Sequence, residues 1–194
     1  MKNILLLLAD GFEFYEASVF IDVMGWNLLE GNNQTTLYTC GLHKEVNSTF
    51  NQKLIVDFTI NEINVEDYDA LAIPGGFEDF NFYKEAYSDE FSDLINAFYE
   101  KNKTIASICT GAFPIAKSGV LNGKEGTTYN LNPVRHNQLK EMGVLVKNLP
   151  IVVSDNIITS WNPSTAMDVA FLLLEKMSDK ENANNVKHLM GFEI

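Results

Sequence analysis

Cysteine is scarce in this chain. Its two thiols, Cys40 and Cys109, stand far apart in sequence. Two are too few for a disulfide framework, so both are expected free, in a reducing cytoplasm. Histidine is nearly as rare: His43, His136 and His188 form no pair or Cys/His cluster with metal-ligand spacing, and no metal is expected. There is no G-x-G-x-x-G and no P-loop, and no cofactor is expected. Basic residues number 14 against 26 acidic ones, and the formal net charge of −12 argues against a nucleic-acid partner. Long apolar runs are missing too. Ile4 to Ala9 is too short to cross a membrane and ends at Asp10 rather than at a small-residue cleavage site. No repeat, low-complexity segment or long linker interrupts the 194 residues, of which 46% are hydrophobic. The chain therefore reads as one domain, 1–194, with ample material for a core.

What is present is an alternation of strand and helix signals. Asn3 to Ala9 is a continuous apolar run that predicts a strand buried on both faces. A helix is predicted from Phe12 or Glu13 to Glu30, closed by Gly31. Thr35 to Cys40 predicts a second strand, and 42–59 a β excursion with its best strand at Leu54–Phe58. Tyr68 to Ile73 is another buried strand, stopped by Pro74-Gly75-Gly76. Ser88 caps a helix to about Asn102. After the Thr104–Ile108 strand a helix runs to Ser118-Gly119. Strands are predicted at Glu125–Tyr129, Val144–Val146, Ile151–Val153 and Ile157–Ser160. Asn132-Pro133 and Asn162-Pro163 start helices, the latter through Leu174, and a last helix covers Asp179–Met190. Carboxylate clusters in 62–69 and 78–93 read as solvated faces. This order implies an α/β sheet with helices on both faces, whose ligands bind beyond the carboxyl ends of the strands.

Three strand ends carry chemistry. The first is the run Thr104 to Ala116, where Cys109 stands between strand and helix with Gly111 two residues later. That is the layout of a nucleophile elbow. At a helix start, unpaired N–H groups and the positive end of the macrodipole favour a thiolate. A small buried hydrophobe is the other reading of Cys109. The second is Asp10-Gly11 leading to Glu16, which is either a first-turn glutamate favoured by the dipole or a carboxyl aimed at the sheet end. Beside a thiolate such a carboxyl is pushed toward its protonated form and can move a proton. The third is Gly75-Gly76, a tight turn whose N–H groups, with that of Thr110, are candidate donors to an oxyanion.

These stretches resemble the DJ-1/PfpI (ThiJ-like) superfamily of class I glutamine amidotransferase-like folds. The likeness lies in Leu8-Ala9-Asp10-Gly11-Phe12-Glu13 with Glu16-Ala17, in Tyr68 through Gly76, in Ile108-Cys109-Thr110-Gly111-Ala112, and in Ile158-Thr159-Ser160 through Pro163. It implies a flavodoxin-like three-layer sandwich with a mostly parallel central sheet, and a homodimer. It also implies Cys109 as nucleophile, Glu16 as its acidic partner, and Gly75, Gly76 and Thr110 as backbone donors. The sequence departs from the superfamily at one point: Thr127-Thr128 is followed by Tyr129-Asn130, where many members place a histidine. His136 is then the nearest candidate base, while Tyr129 and Asn130 can offer hydrogen bonds but no base near neutral pH. Trp161 and Asn162 are expected at the crevice mouth, with core packing the other reading of the indole.

The activity implied is cysteine-dependent attack on a small reactive carbonyl or related electrophile. A non-catalytic oxidative-stress sensor or chaperone-like protein, using an oxidisable Cys109, is the alternative, and an intracellular cysteine peptidase the third. Cys40, between a strand and Gly41, reads as structural.

Overall fold

The computed structural model describes residues 1–192. Its strands and helices follow in chain order. They are β1 Lys2–Leu8, α1 Phe14–Glu30, β2 Thr35–Gly41, β3 Glu45–Asn47, β4 Lys53–Ile55, β5 Phe58–Thr59 and β6 Ala70–Ile73. Then come α2 Phe82–Ala86, α3 Asp89–Glu100, β7 Thr104–Ser107, α4 Ala112–Lys117, β8 Glu125–Gly126, α5 Pro133–Glu141 and β9 Leu145–Val146. The chain closes with β10 Ile151–Ser154, β11 Ile157–Ser160, α6 Ala166–Met177 and α7 Lys180–Leu189.

The central sheet has the order β10-β11-β7-β6-β1-β2-β5. Only the β10–β11 pair is antiparallel. The period of two sorts each strand between two cores. Ile4, Leu6 and Leu8 of β1 face one core, which α1, α6 and α7 cover. Leu5 and Leu7 face the other, with Phe91, Ile95 and Phe98 of α3. The molecule is thus the three-layer α/β sandwich that the strand and helix order implies.

The register decides where the site lies. Leu6 pairs with Ala72 and Ala72 with Ala106, so β1, β6 and β7 finish side by side. The chain leaves β1 toward β2 on one side and returns to β6 on the other. Such a reversal opens a crevice at the strand ends.

Several boundaries differ from expectation. The predicted Leu54–Phe58 strand is two short pieces, β4 paired with β3 and β5 on the sheet edge, because Val56 and Asp57 turn the chain between them. The Glu125–Tyr129 strand shrinks to Glu125–Gly126. The 78–93 cluster is not wholly solvated. Glu85 is buried at the end of the unpredicted α2, where its Oε2 accepts the Asp10 N–H at 2.8 Å. Helix α7 packs on α6 and α1 and lines no part of the crevice.

Candidate active site

Cys109 sits immediately past β7 with φ +55°, a left-handed conformation that costs a non-glycine residue energy and marks a sharp turn. A 3-10 turn, Cys109–Gly111, carries the chain into α4. The Ile108 N–H donates to Ile73 O at 3.2 Å and the Gly111 N–H to Ile108 O at 2.8 Å. Gly111 packs so tightly that a Cβ would meet Ile73 O at 2.6 Å. The elbow is pinned against the end of β6.

Glu16 enters from α1. Glu13 caps that helix, its Oε2 accepting the Glu16 N–H at 2.9 Å. The Glu13 N–H donates to Gly75 O at 2.8 Å, and the Gly75 N–H donates to Glu16 Oε2 at 2.7 Å. These three bonds close a ring of Glu13, Glu16 and Gly75. It fixes the carboxyl beside the sulfur, near enough for each group to shift the other's titration. Gly75 has to be glycine for this approach, since a Cβ would lie 2.7 Å from Thr110 Oγ1 and 2.8 Å from Glu16 Oε2.

Two backbone donors are not where the sequence put them. The Gly75 N–H is committed to Glu16, and the Gly76 N–H donates to Thr110 Oγ1 at 2.8 Å. The Thr110 hydroxyl in turn donates to Gly76 O at 2.8 Å. The glycines therefore brace the site, and neither amide is free for an oxyanion. The Thr110 N–H remains directed at the sulfur.

The electrostatics also differ. Burial pushes Glu16 up to about 8 from an ordinary 4.5, helped by the Glu13 charge and opposed by the Gly75 N–H. Cys109 is pushed up as well, first by burial and then by the Glu16 charge, with the Thr110 N–H opposing. Burial and the Glu16 charge outweigh the lowering expected from N–H groups at the helix start. Carboxyl and thiol form one titrating unit. The remaining Glu16 oxygen, Oε1, is buried without a hydrogen-bond partner. The pair can pass a proton between sulfur, carboxyl and a bound molecule.

A cleft of about 370 Å3 opens on the pair, walled by Glu13, Phe77, Glu78, Asp79, Tyr129, Asn132, Arg135 and Pro163. Of the predicted pocket residues, Tyr129 lines it. Asn130 and Asn162 do not. Asn162 Nδ2 donates to Asn130 Oδ1 at 2.7 Å, and Asn162 Oδ1 accepts the Ser164 N–H at 3.0 Å, so this pair ties the 130 loop to the Pro163 turn. Trp161 is half-buried and is not among the residues that line the cleft. His136 is turned away from the cleft, its Nε2 lying 3.3 Å from Thr128 O, so it is not placed as a base. Glu13 was legible as an acidic residue three positions before Glu16, a capping spacing. Arg135, Glu78 and Tyr83 had no signal in the sequence.

The model of the DJ-1/PfpI family matches residues 2–176. Protein DJ-1alpha of Drosophila melanogaster is 30% identical over 192 residues, 97% of this chain and 83% of that protein. Glutathione-independent glyoxalase DJ-1 of Schizosaccharomyces pombe is 34% identical over 122 residues, 62% of this chain and 61% of that protein. The match spans 54%, 83% and 44% of the length of the first three relatives. Among solved structures, Drosophila melanogaster DJ-1beta superposes with a TM-score of 0.87 at 24% identity, over 100% of this chain and 99% of that one.

Proposed function

The chain belongs to the DJ-1/PfpI family, and on that premise we propose that it is a cysteine-dependent enzyme acting on a small reactive carbonyl or related electrophile. One observation carries the reading. A buried carboxyl that keeps its proton up to about pH 8 is locked by the Glu13–Glu16–Gly75 ring beside a strained cysteine in a small cleft. A solvated thiol with a distant carboxylate would do none of this.

On this reading the Cys109 sulfur adds to the carbonyl carbon. The C–S bond forms as the carbonyl pair moves to oxygen, and the proton of the thiol reaches that oxygen by way of Glu16. With a 2-oxoaldehyde, Glu16 then takes the proton on the adduct carbon and returns it to the neighbouring one, while the adduct hydroxyl proton passes to the neighbouring oxygen. The product is a thioester that water hydrolyses to the 2-hydroxy acid, freeing the thiol. No histidine is needed. A relative of this chain is named a glyoxalase, which supports the class without fixing the substrate.

The test is incubation with methylglyoxal and measurement of lactate, with Cys109→Ala and Glu16→Gln as controls. Lactate formation abolished by Cys109→Ala is expected. No lactate, together with clean peroxide conversion of Cys109 to a sulfinate, turns the reading to an oxidative-stress sensor or chaperone-like protein. The unpartnered Glu16 Oε1, free to bond an oxidised sulfur, is what favours that second reading. Casein cleavage dependent on Cys109 would instead point to a peptidase.

We further propose a homodimer in a reducing cytoplasm. Tyr15, Trp26 and Leu29 leave an exposed apolar stripe on α1, and among the described residues no helix is long and apolar enough to cross a membrane. Light scattering tests the dimer.

A further inference from the structure

Resting on the reading of Cys109 as nucleophile, we propose that Arg135 is an anion anchor. The electrophile of this cleft then carries a carboxylate next to its carbonyl, as a 2-oxo acid does.

Among the described residues, Arg135 is the one cation in the cleft wall; its other ionisable groups are carboxylates, the Tyr129 phenol and the thiol. The side chain is only 21% exposed and is held from three directions. Its Nη1 donates to Gln138 Oε1 at 3.1 Å, and its Nη2 to Glu78 Oε2 at 3.1 Å. The guanidinium lies 5.5 Å from the centre of the Tyr83 ring, which itself packs edge-on against Phe113 of α4. A guanidinium has five N–H donors in a rigid fork. Two are occupied here, and the others have no protein partner among the described residues.

The Glu78 carboxylate shows what the fork accepts. It is 69% exposed and sits on a short 3-10 turn, so it can swing into water when another carboxylate takes its place. The cleft has room only for a small molecule. Arg135 and Cys109 line this one cleft, so a ligand small enough to enter it can meet both. The other wall carboxylates do not forbid an anion. Glu13 is bound to the Glu16 N–H at a helix start, Asp79 is exposed and screened, and Glu16 is largely protonated near neutral pH.

The test compares two alkylating reagents of nearly equal size, anionic iodoacetate and neutral iodoacetamide, on native protein at pH 8. Modification of Cys109 is read by peptide mass spectrometry. The ratio of the two rates is taken, so any change in thiolate content cancels. A wild-type ratio above that of free cysteine is expected. Arg135→Gln should lower it about tenfold, the scale of a charge-assisted hydrogen bond, and Glu78→Gln should raise it. A ratio unmoved by Arg135→Gln overturns the proposal. The second arm needs no chemistry at sulfur: calorimetric binding of oxamate, a small carboxylate with no electrophilic carbon. Oxamate binding that is lost in Arg135→Gln supports the anchor even if methylglyoxal gives no lactate. No oxamate binding to wild type overturns the anchor even if it does.

Discussion

Glu16 Oε2 accepts the Gly75 N–H at 2.7 Å while Oε1, equally buried, has no hydrogen-bond partner. One oxygen is fixed by the sheet and the other is free for a proton. This division suits the residue to the proposed role of proton carrier, and it makes the fold depend on pH.

The native state holds the Glu16 proton up to about 8, whereas the unfolded chain releases it near 4.5. Between those values the native state binds more protons than the unfolded one. The stability from burying a neutral carboxyl is thus fully present below 4.5 and is lost as pH rises through about 8. Its slope reaches about 1.4 kcal/mol per pH unit. Urea unfolding at pH 5, 6, 7 and 8 should show wild type weakening against Glu16→Gln as pH rises. Parallel curves would remove Glu16 as the cause.

Gly75→Ala tests the brace. The added methyl meets Thr110 Oγ1 at 2.7 Å, Glu16 Oε2 at 2.8 Å and the Thr110 amide nitrogen at 2.9 Å. The Thr110 amide is backbone, and Glu16 Oε2, though a side-chain end, is buried and held by the Gly75 N–H, so the segments must part. A loss of about 1–3 kcal/mol is expected. Cys109 alkylation should also change, because the Glu16 carboxyl moves with the brace. Thermal unfolding and iodoacetamide kinetics on one preparation measure both. An unchanged Tm would show that the site yields without cost.

Much of this was legible in the sequence, for a physical reason. Asn3 to Ala9 read as a strand buried on both faces, and the Asp10, Pro74 and Cys109 breaks marked strand ends that the register makes neighbours. What pattern could not supply was which amide goes to which acceptor. The amides of Gly75 and Gly76 read as oxyanion donors until the fold brought Glu16 Oε2 and Thr110 Oγ1 against them. Phe82 and Ala86 of α2 were hidden among carboxylates, and Glu85 there answers a backbone amide 75 positions away. Arg135 was one cation beside a histidine, and its tertiary contacts with Glu78 and Tyr83 appear only in the fold.

The two thiols should separate cleanly. Cys40 is fully buried, and burial with the nearby Glu62 charge pushes it up to about 12. Cys109 is partly accessible at the cleft floor. Iodoacetamide on native protein should label Cys109 alone, and Cys40 only after unfolding in urea. Equal native rates at both positions would contradict the assignment of Cys40 to the core.

The sharpest prediction concerns how Cys109 gains its reactivity. Burial and Glu16 both raise the thiol, so at pH 6 the pair carries both protons. The first proton to leave does so near 8, and it belongs to the pair. Whether the charge then rests on sulfur or on carboxyl, the unit has become nucleophilic, since a Glu16 carboxylate can take the thiol proton during attack. Alkylation by iodoacetamide should therefore climb through about pH 8. In Glu16→Gln the amide keeps an acceptor for the Gly75 N–H but cannot take a proton. The step near 8 should vanish, leaving the titration of a lone buried thiol, and turnover on a carbonyl should fall about 10²–10⁴-fold. Rates for both proteins from pH 5 to 10, quantified on the Cys109 peptide, decide the matter. A Glu16→Gln profile that superposes on wild type would show that the carboxyl only fills space.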